Sequence, residues 1–174
     1  MVMPKQFRRV VTGHNMEGKS CVLFDGITEN VRIPSDEPKV AMTDFWYSDE
    51  CPETNAENVD VANRPIILQP PKNGSLFRIV ELPPDHERTF GNLKAIDADG
   101  DTLEQGKRHP AFHKTKTLDY IFVLEGEIYC MLDDGEVCLK QGDVLIQRGT
   151  SHAWSNRSKN RCLLLATMLD AKPL

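Results

Sequence analysis

Three side chains able to hold a metal or move a proton stand in the second half of the chain: His113, Asp119 and His152. His152 lies in GDVLIQRGTSHAWSN, residues 142–156, where a β-rich run breaks at Arg148-Gly149 and a new one begins. A histidine at such a place serves as a metal ligand, as an acid–base group, or as a core residue satisfied by hydrogen bonds. Trp154 follows two residues later and shares a strand face with it. Facing inward, the two put a polar group and an aromatic wall in one cavity, so Trp154 is read as lining a substrate pocket. In AFHKTKTLDY, His113 and Thr115 alternate onto one face of an extended chain. Lys114 and Lys116 then point the other way, to solvent, which turns His113 inward with Thr115 beside it as a pocket residue. Asp119 heads the apolar run 120–124. A carboxylate at the head of a buried strand needs a metal, a histidine or an arginine as partner, or else it caps a turn.

These residues need a scaffold of strands. The chain carries 11 Gly and 11 Pro, with short apolar runs between them. Few windows hold a helical period for three turns, whereas many alternate over five to eight residues, which indicates an all-β chain. RRVVTGHNMEGKSCVLF reads as a hairpin with His14 exposed near its turn. VAMTDFWYS, residues 40–48, reads as a strand in which Trp46 packs and Tyr47 faces the opposite side. Residues 49–66 are polar and acidic and read as a loop of low order. SLFRIVELPP, residues 75–84, is a strand stopped by two prolines. Residues 85–109 form a second polar stretch, either a lid or rim over a site or a solvated surface loop. His86 reads as exposed there. His109 reads as a loop residue, because Pro110 separates it from His113 and no helix joins them. From residue 117 several strands are broken at Gly126, Asp134-Gly135 and Gly142, and a last strand covers 161–169. Spacing of this kind suggests a barrel or sandwich. Tyr120, Phe122 and Tyr129 are expected in a core or an interface. Arg148, beside the turn, meets an anionic substrate or a surface carboxylate.

The 174 residues suit a single domain that buries a real core without staples. The net charge of -5 is mild and mixed in sign, with no electrostatic footprint for nucleic acid. No apolar run approaches the roughly 18–20 residues of a membrane span, and MVMPKQFRRVV lacks the pattern of a secretory signal. Five cysteines without a CxxC pair read as reduced thiols of a cytoplasmic protein. Cys130 and Cys138 flank the Asp133–Gly135 turn and are expected to face each other as small buried hydrophobes. GxGxxG, P-loop and GxSxG motifs are absent, so a nucleotide cofactor or an acyl-serine mechanism has no support.

Two stretches resemble the signature motifs of the cupin superfamily. Gly142, Gly149, His152 and Asn156 keep the spacing of the second motif, with Gln147 where a proline usually stands. In the first motif His113 takes the first histidine position, Thr115 the second, Asp119 the glutamate position, and Gly126 the closing glycine; the opening glycine, Gly106, is displaced by one. The resemblance implies a cupin-type double-stranded β-helix, or jelly-roll barrel. Residues 107–169 would form its core, and residues 1–106 would add N-terminal strands and long loops that pack on or complete it. It also implies a divalent transition metal, Fe, Zn, Mn, Ni or Cu, held by His113, Asp119 and His152, a set of two imidazoles and a carboxylate. Thr115 is a poor ligand, so affinity would fall below that of a four-ligand site. The chemistry implied is that of a dioxygenase, decarboxylase, isomerase or lyase acting on a small organic metabolite. Two alternatives stay open: metal-free acid–base catalysis by His152 and Asp119 with His113 positioning substrate, and a small-molecule binding barrel without turnover. A homodimer through exposed edge strands is expected of such a barrel.

Overall fold

Burial alternates along most of the chain with the period of two that an extended backbone imposes. The computed structural model describes residues 3–34, 39–90 and 107–172, and among them there is no α-helix. The elements are β1 (Arg8–His14), β2 (Ser20–Ile27), β3 (Val31–Arg32), β4 (Ala41–Ser48), β5 (Ser75–Leu82), a 3-10 turn (Asp85–Glu87), β6 (Thr117–Glu125), β7 (Glu127–Leu132), β8 (Glu136–Lys140), β9 (Val144–Arg148), β10 (His152–Ser155) and β11 (Cys162–Asp170). All named pairings are antiparallel. The strands β1 and β2 form the expected hairpin, with His14 exposed near its turn. A six-stranded sheet runs β3-β4-β5-β11-β6-β9, and a three-stranded sheet runs β10-β7-β8. Tyr47, Leu76, Ile121, Val123, Leu164 and Met168 from the large sheet meet Ile128, Cys130 and Leu139 from the small one in a single core cluster. Two antiparallel sheets closed over one core make the jelly-roll, double-stranded β-helix of the cupin type. Both halves of the sequence build it, since β3, β4 and β5 share a sheet with β6, β9 and β11.

The inward faces follow from the register. On β6 the buried side chains are Thr117, Asp119, Ile121 and Val123. Tyr120 and Phe122 therefore point outward, 46% and 37% exposed. They are not core residues, because alternation defines two faces of a strand without saying which one is covered. Tyr129 is likewise only half-buried. On β4, Tyr47 is buried and Trp46 half-buried, as expected of opposite faces. Cys130 pairs with Val137, and Cys138 with Tyr129, so the two cysteines are not directly opposite. The hairpin register places them one residue out of step.

The loop after β4 is tied down, not loosely ordered. Ala62 is 1% exposed, Val61 packs against the main core, and Asp60 pairs with Arg9. Further along, Arg78 on β5 lies buried with its guanidinium forked onto Asp44 of β4, both contacts at 2.8 Å. Its remaining N–H groups donate to the carbonyls of Ile67 (2.5 Å) and Leu68 (3.2 Å), and the Tyr47 hydroxyl donates to Asp44. A buried guanidinium must spend its donors on acceptors. Here that need fastens residues 67–68 to the large sheet.

Candidate functional site

The turn before β10 brings the two motif histidines together. Gly149 has φ 59°, and a side chain there would crowd the carbonyls of Thr115 and Thr117, at 3.1 and 3.3 Å. That close approach holds residues 113–117 against the turn. His113 and His152 then form a short antiparallel bridge: the His113 N–H donates to the His152 carbonyl at 2.9 Å, and the reverse bond is 3.0 Å. Phe112 is fully buried against Met131 and Ala153, on the side of the small sheet away from the main core. Trp154 packs on the main core side, and His152 shares its face. The imidazole rings of His113 and His152 lie 4.3 Å apart between centroids, tilted at 51°. Trp154 meets His152 edge-on at 5.6 Å. The expected neighbourhood of a polar ring and an aromatic one is thus present, as ring-to-ring contact of His113, His152 and Trp154.

Both rings are oriented by the backbone. His113 Nδ1 is 2.9 Å from the Ala111 carbonyl, and His152 Nδ1 is 2.9 Å from the Thr150 carbonyl. A carbonyl oxygen only accepts, so each Nδ1 carries a proton, and in a neutral ring Nε2 keeps the lone pair. That is the tautomer in which an imidazole binds metal through Nε2, with its other nitrogen held by an outer partner. His152 is 3% exposed. Burial, with the neighbouring His113 adding to it, pushes its pKa down to about 3. The ring is therefore neutral at ordinary pH.

The wall beside the pair is polar and buried. Thr115 and Thr117 both face inward, joined by a 2.7 Å hydroxyl bond, while Lys114 and Lys116 are exposed. The alternation read in FHKTKT is thus the observed one. Asp119 is buried on the same face of β6, between Met168 of β11 and Gln147 of β9 in register. Among the described residues no three His, Cys, Asp or Glu side chains converge as a metal-binding cluster. Asp119 lines the same interior but does not join the histidine pair in such a cluster. Gln147, 2% exposed, was the residue the spacing did not mark for function; it donates to the Thr150 carbonyl at 3.0 Å. Its one signal in the sequence is the departure from proline at that motif position.

His109 is more than a loop residue. Its ring stands 3.7 Å from the Asp85 carboxylate and edge-on to Phe90 at 5.0 Å, and burial lowers its pKa. Asp85 also accepts from the Ser155 hydroxyl (2.6 Å) and the Asn156 N–H (3.0 Å). This group fastens residues 85–90 and 109 to the end of β10, on the face opposite His152. His86 and Arg148 are exposed. Of the stretch expected to act as a lid, rim or surface loop, residues 91–106 lie outside the described residues. No described helix is long and apolar enough to cross a membrane.

Comparison with known proteins places the chain in a family. The sequence pattern of the cupin domain matches residues 101–168. A cupin-domain-containing oxidoreductase of Hypocrea virens, virC, is 31% identical over 170 residues, spanning 95% of this chain and 77% of that protein. Phomopsin biosynthesis cluster protein C' of Diaporthe leptostromiformis is 48% identical over 64 residues, 36% of this chain and 34% of that protein, so the chain spans about a third of it. Among solved structures, a cupin superfamily protein from Desulfitobacterium hafniense is 14% identical with a TM-score of 0.43, over 79% of this chain and 83% of that one.

Proposed function

This chain belongs to the cupin superfamily, and on that premise we propose that it is an oxidoreductase acting on a small organic metabolite at the His113–His152 end of the barrel. A divalent transition metal held through Nε2 of the two histidines is part of the proposal; Asp119 faces the same interior but stands outside their cluster. The observation that carries it is the matched pair of rings, each with Nδ1 fixed on a backbone carbonyl. Two imidazoles side by side, each with Nδ1 on a backbone carbonyl, fit the donor chemistry of iron, manganese, nickel, copper or zinc. They leave coordination positions for water or substrate. When bound, the metal would supply Lewis-acid polarisation or oxygen activation.

The remaining work falls to the protein's own groups. Trp154 gives an apolar, rigid flank to the substrate. The hydroxyls of Thr115 and Thr117 offer hydrogen bonds to its polar atoms. Buried Asp119 sets a negative or hydrogen-bonding pole on the inward face of β6. The two carbonyls of Ala111 and Thr150 keep both imidazoles from rotating, so the site is set before a ligand arrives. The names of the relatives, an oxidoreductase and a protein of a biosynthesis cluster, support redox chemistry on a small organic substrate. A metal-free acid–base role fits less well, because a general base near neutral pH needs a pKa near that pH and His152 is pushed down to about 3.

Elemental analysis of protein purified without chelator, then reloaded with each metal in turn, tests the proposal. Near-stoichiometric metal is expected in the wild-type chain, with at least a tenfold loss of affinity in His113→Ala and His152→Ala. Metal content unchanged in both variants, or no binding by the wild-type chain after reloading, would reject the metal-dependent reading.

A further inference from the structure

The Thr150 carbonyl oxygen receives two hydrogen bonds. One comes from His152 Nδ1 at 2.9 Å and the other from Gln147 Nε2 at 3.0 Å. A carbonyl has two lone pairs and can take both. The second amide hydrogen of Gln147 goes to the Thr150 hydroxyl. The Thr150 carbonyl assigns the amide orientation, since a reversed amide would set its oxygen against that carbonyl. We propose that Gln147 is a positioning residue for His152, acting through the Thr150 carbonyl.

The argument is one of freedom and its removal. Residues 149–151 form the turn between β9 and β10, and Gly149 in it adopts φ 59°. The Thr150 peptide plane lies next to that glycine, and its direction decides whether His152 Nδ1 finds an acceptor. Gln147 closes the turn from the other side. It sits at the inward face of β9, anchored by the ladder to Asp119 of β6, and is 2% exposed. The donor end of its bond to Thr150 is therefore buried, while Thr150 itself is exposed. The proline usual at this motif position would stiffen the backbone but offer no side-chain donor. Here the side chain holds the carbonyl directly, and the carbonyl holds the tautomer of His152. Direct outer partners of a ligating histidine, here the Thr150 carbonyl, commonly change metal affinity by about 10–100-fold when lost, and Gln147 acts by holding that carbonyl. The inference rests on the proposed ligand role of His152 only for its effect on metal; the effect on the ring itself is independent of that role.

The test compares Gln147→Met, Gln147→Leu and Thr150→Val with the wild-type chain. The first reading is the imidazole 15N spectrum of His152, which separates the Nδ1–H from the Nε2–H tautomer. The second is the dissociation constant for Zn(II) titrated alone. Gln147→Met and Gln147→Leu are expected to show a new population of the Nε2–H tautomer and Zn(II) binding about 10–100-fold weaker. Thr150→Val loses the hydroxyl but keeps the carbonyl, so it is expected to retain the wild-type 15N pattern and affinity within about twofold. Gln147 acting only as a turn stabiliser would lower the melting temperature in its variants yet leave the His152 tautomer as in wild type; that result overturns the proposal. If the wild-type chain binds no Zn(II), the metal reading fails, and the 15N pattern alone still decides the role of Gln147. Gln147→Met, close in length to glutamine, carries the test if Gln147→Leu does not fold.

Discussion

A buried neutral histidine ties the stability of this protein to pH. His152 has an ordinary pKa near 6.5 when the chain is unfolded and about 3 when folded, held down by burial and by His113. Between those values the unfolded chain takes up a proton that the folded one refuses. Stability contributed by the neutral ring is thus fully present above about pH 6.5 and is lost as pH falls toward 3, with a slope of at most about 1.4 kcal/mol per pH unit. His109, also lowered by burial, acts in the same direction. Urea midpoints measured from pH 7 to pH 4 should therefore fall more steeply for the wild-type chain than for His152→Asn. Parallel curves would show that His152 titrates alike in both states. At this scale much of the site is legible in the sequence. The alternation of His113 and Thr115 against two lysines, and of His152 with Trp154, requires only the period of a strand. Gln147 is not legible, because its role depends on which backbone carbonyl a tertiary turn places within its reach.

Strands were readable where alternation and turn residues coincide, and their covered face was not. The run from residue 117 shows its turns at Gly126 and Gly142, both with positive φ, so β6, β7, β8 and β9 follow from pattern alone. The placement of Asp44 and Arg78 could not be read in this way. Each looks like a surface charge interrupting an apolar strand, yet the antiparallel register sets them side by side on the inward face of β4 and β5. The pair then joins those strands to residues 67–68 through the arginine's other donors. Removing one member leaves an uncompensated charge in the interior. Asp44→Ala should cost about 3–5 kcal/mol. Replacing both residues with apolar ones, as in Asp44→Leu with Arg78→Met, should cost markedly less. Chemical denaturation of the two variants checks this: a single variant no less stable than the double would mean the ion pair is not the fastening.

The outer face of the six-stranded sheet carries more apolar surface than an isolated barrel needs. In register across it run Ile146, Tyr120, Thr167, Phe77 and Trp46, with Val144, Phe122, Leu165 and Ile79 in the next row. Val144, Ile146, Tyr120, Phe122 and Phe77 are all exposed. Three of these are aromatic, with about 150–250 Å² of side chain each, and with aliphatic Val144 and Ile146 the five leave on the order of 400 Å² uncovered at their observed exposure before the half-buried Leu118, Leu124, Leu165 and Trp46 are added. A contiguous patch of this size matches the largest apolar patch of a typical monomer, which is often functional, and a standard interface takes about 800 Å² from each partner. A two-fold axis normal to the sheet would lay each row against its counterpart in a second copy, which meets the self-complementarity a closed dimer requires. Dimerisation is thus predicted through this face, in place of the exposed edge strands expected of such a barrel. Light scattering on the wild-type chain should give the mass of a dimer. Phe122→Glu combined with Val144→Lys, both on the outward face and clear of the core, should give a folded monomer with an unchanged β-sheet circular dichroism spectrum. A wild-type monomer would refute self-association, and a variant that stays dimeric would move the contact to another surface, with the edge strands next to be tested.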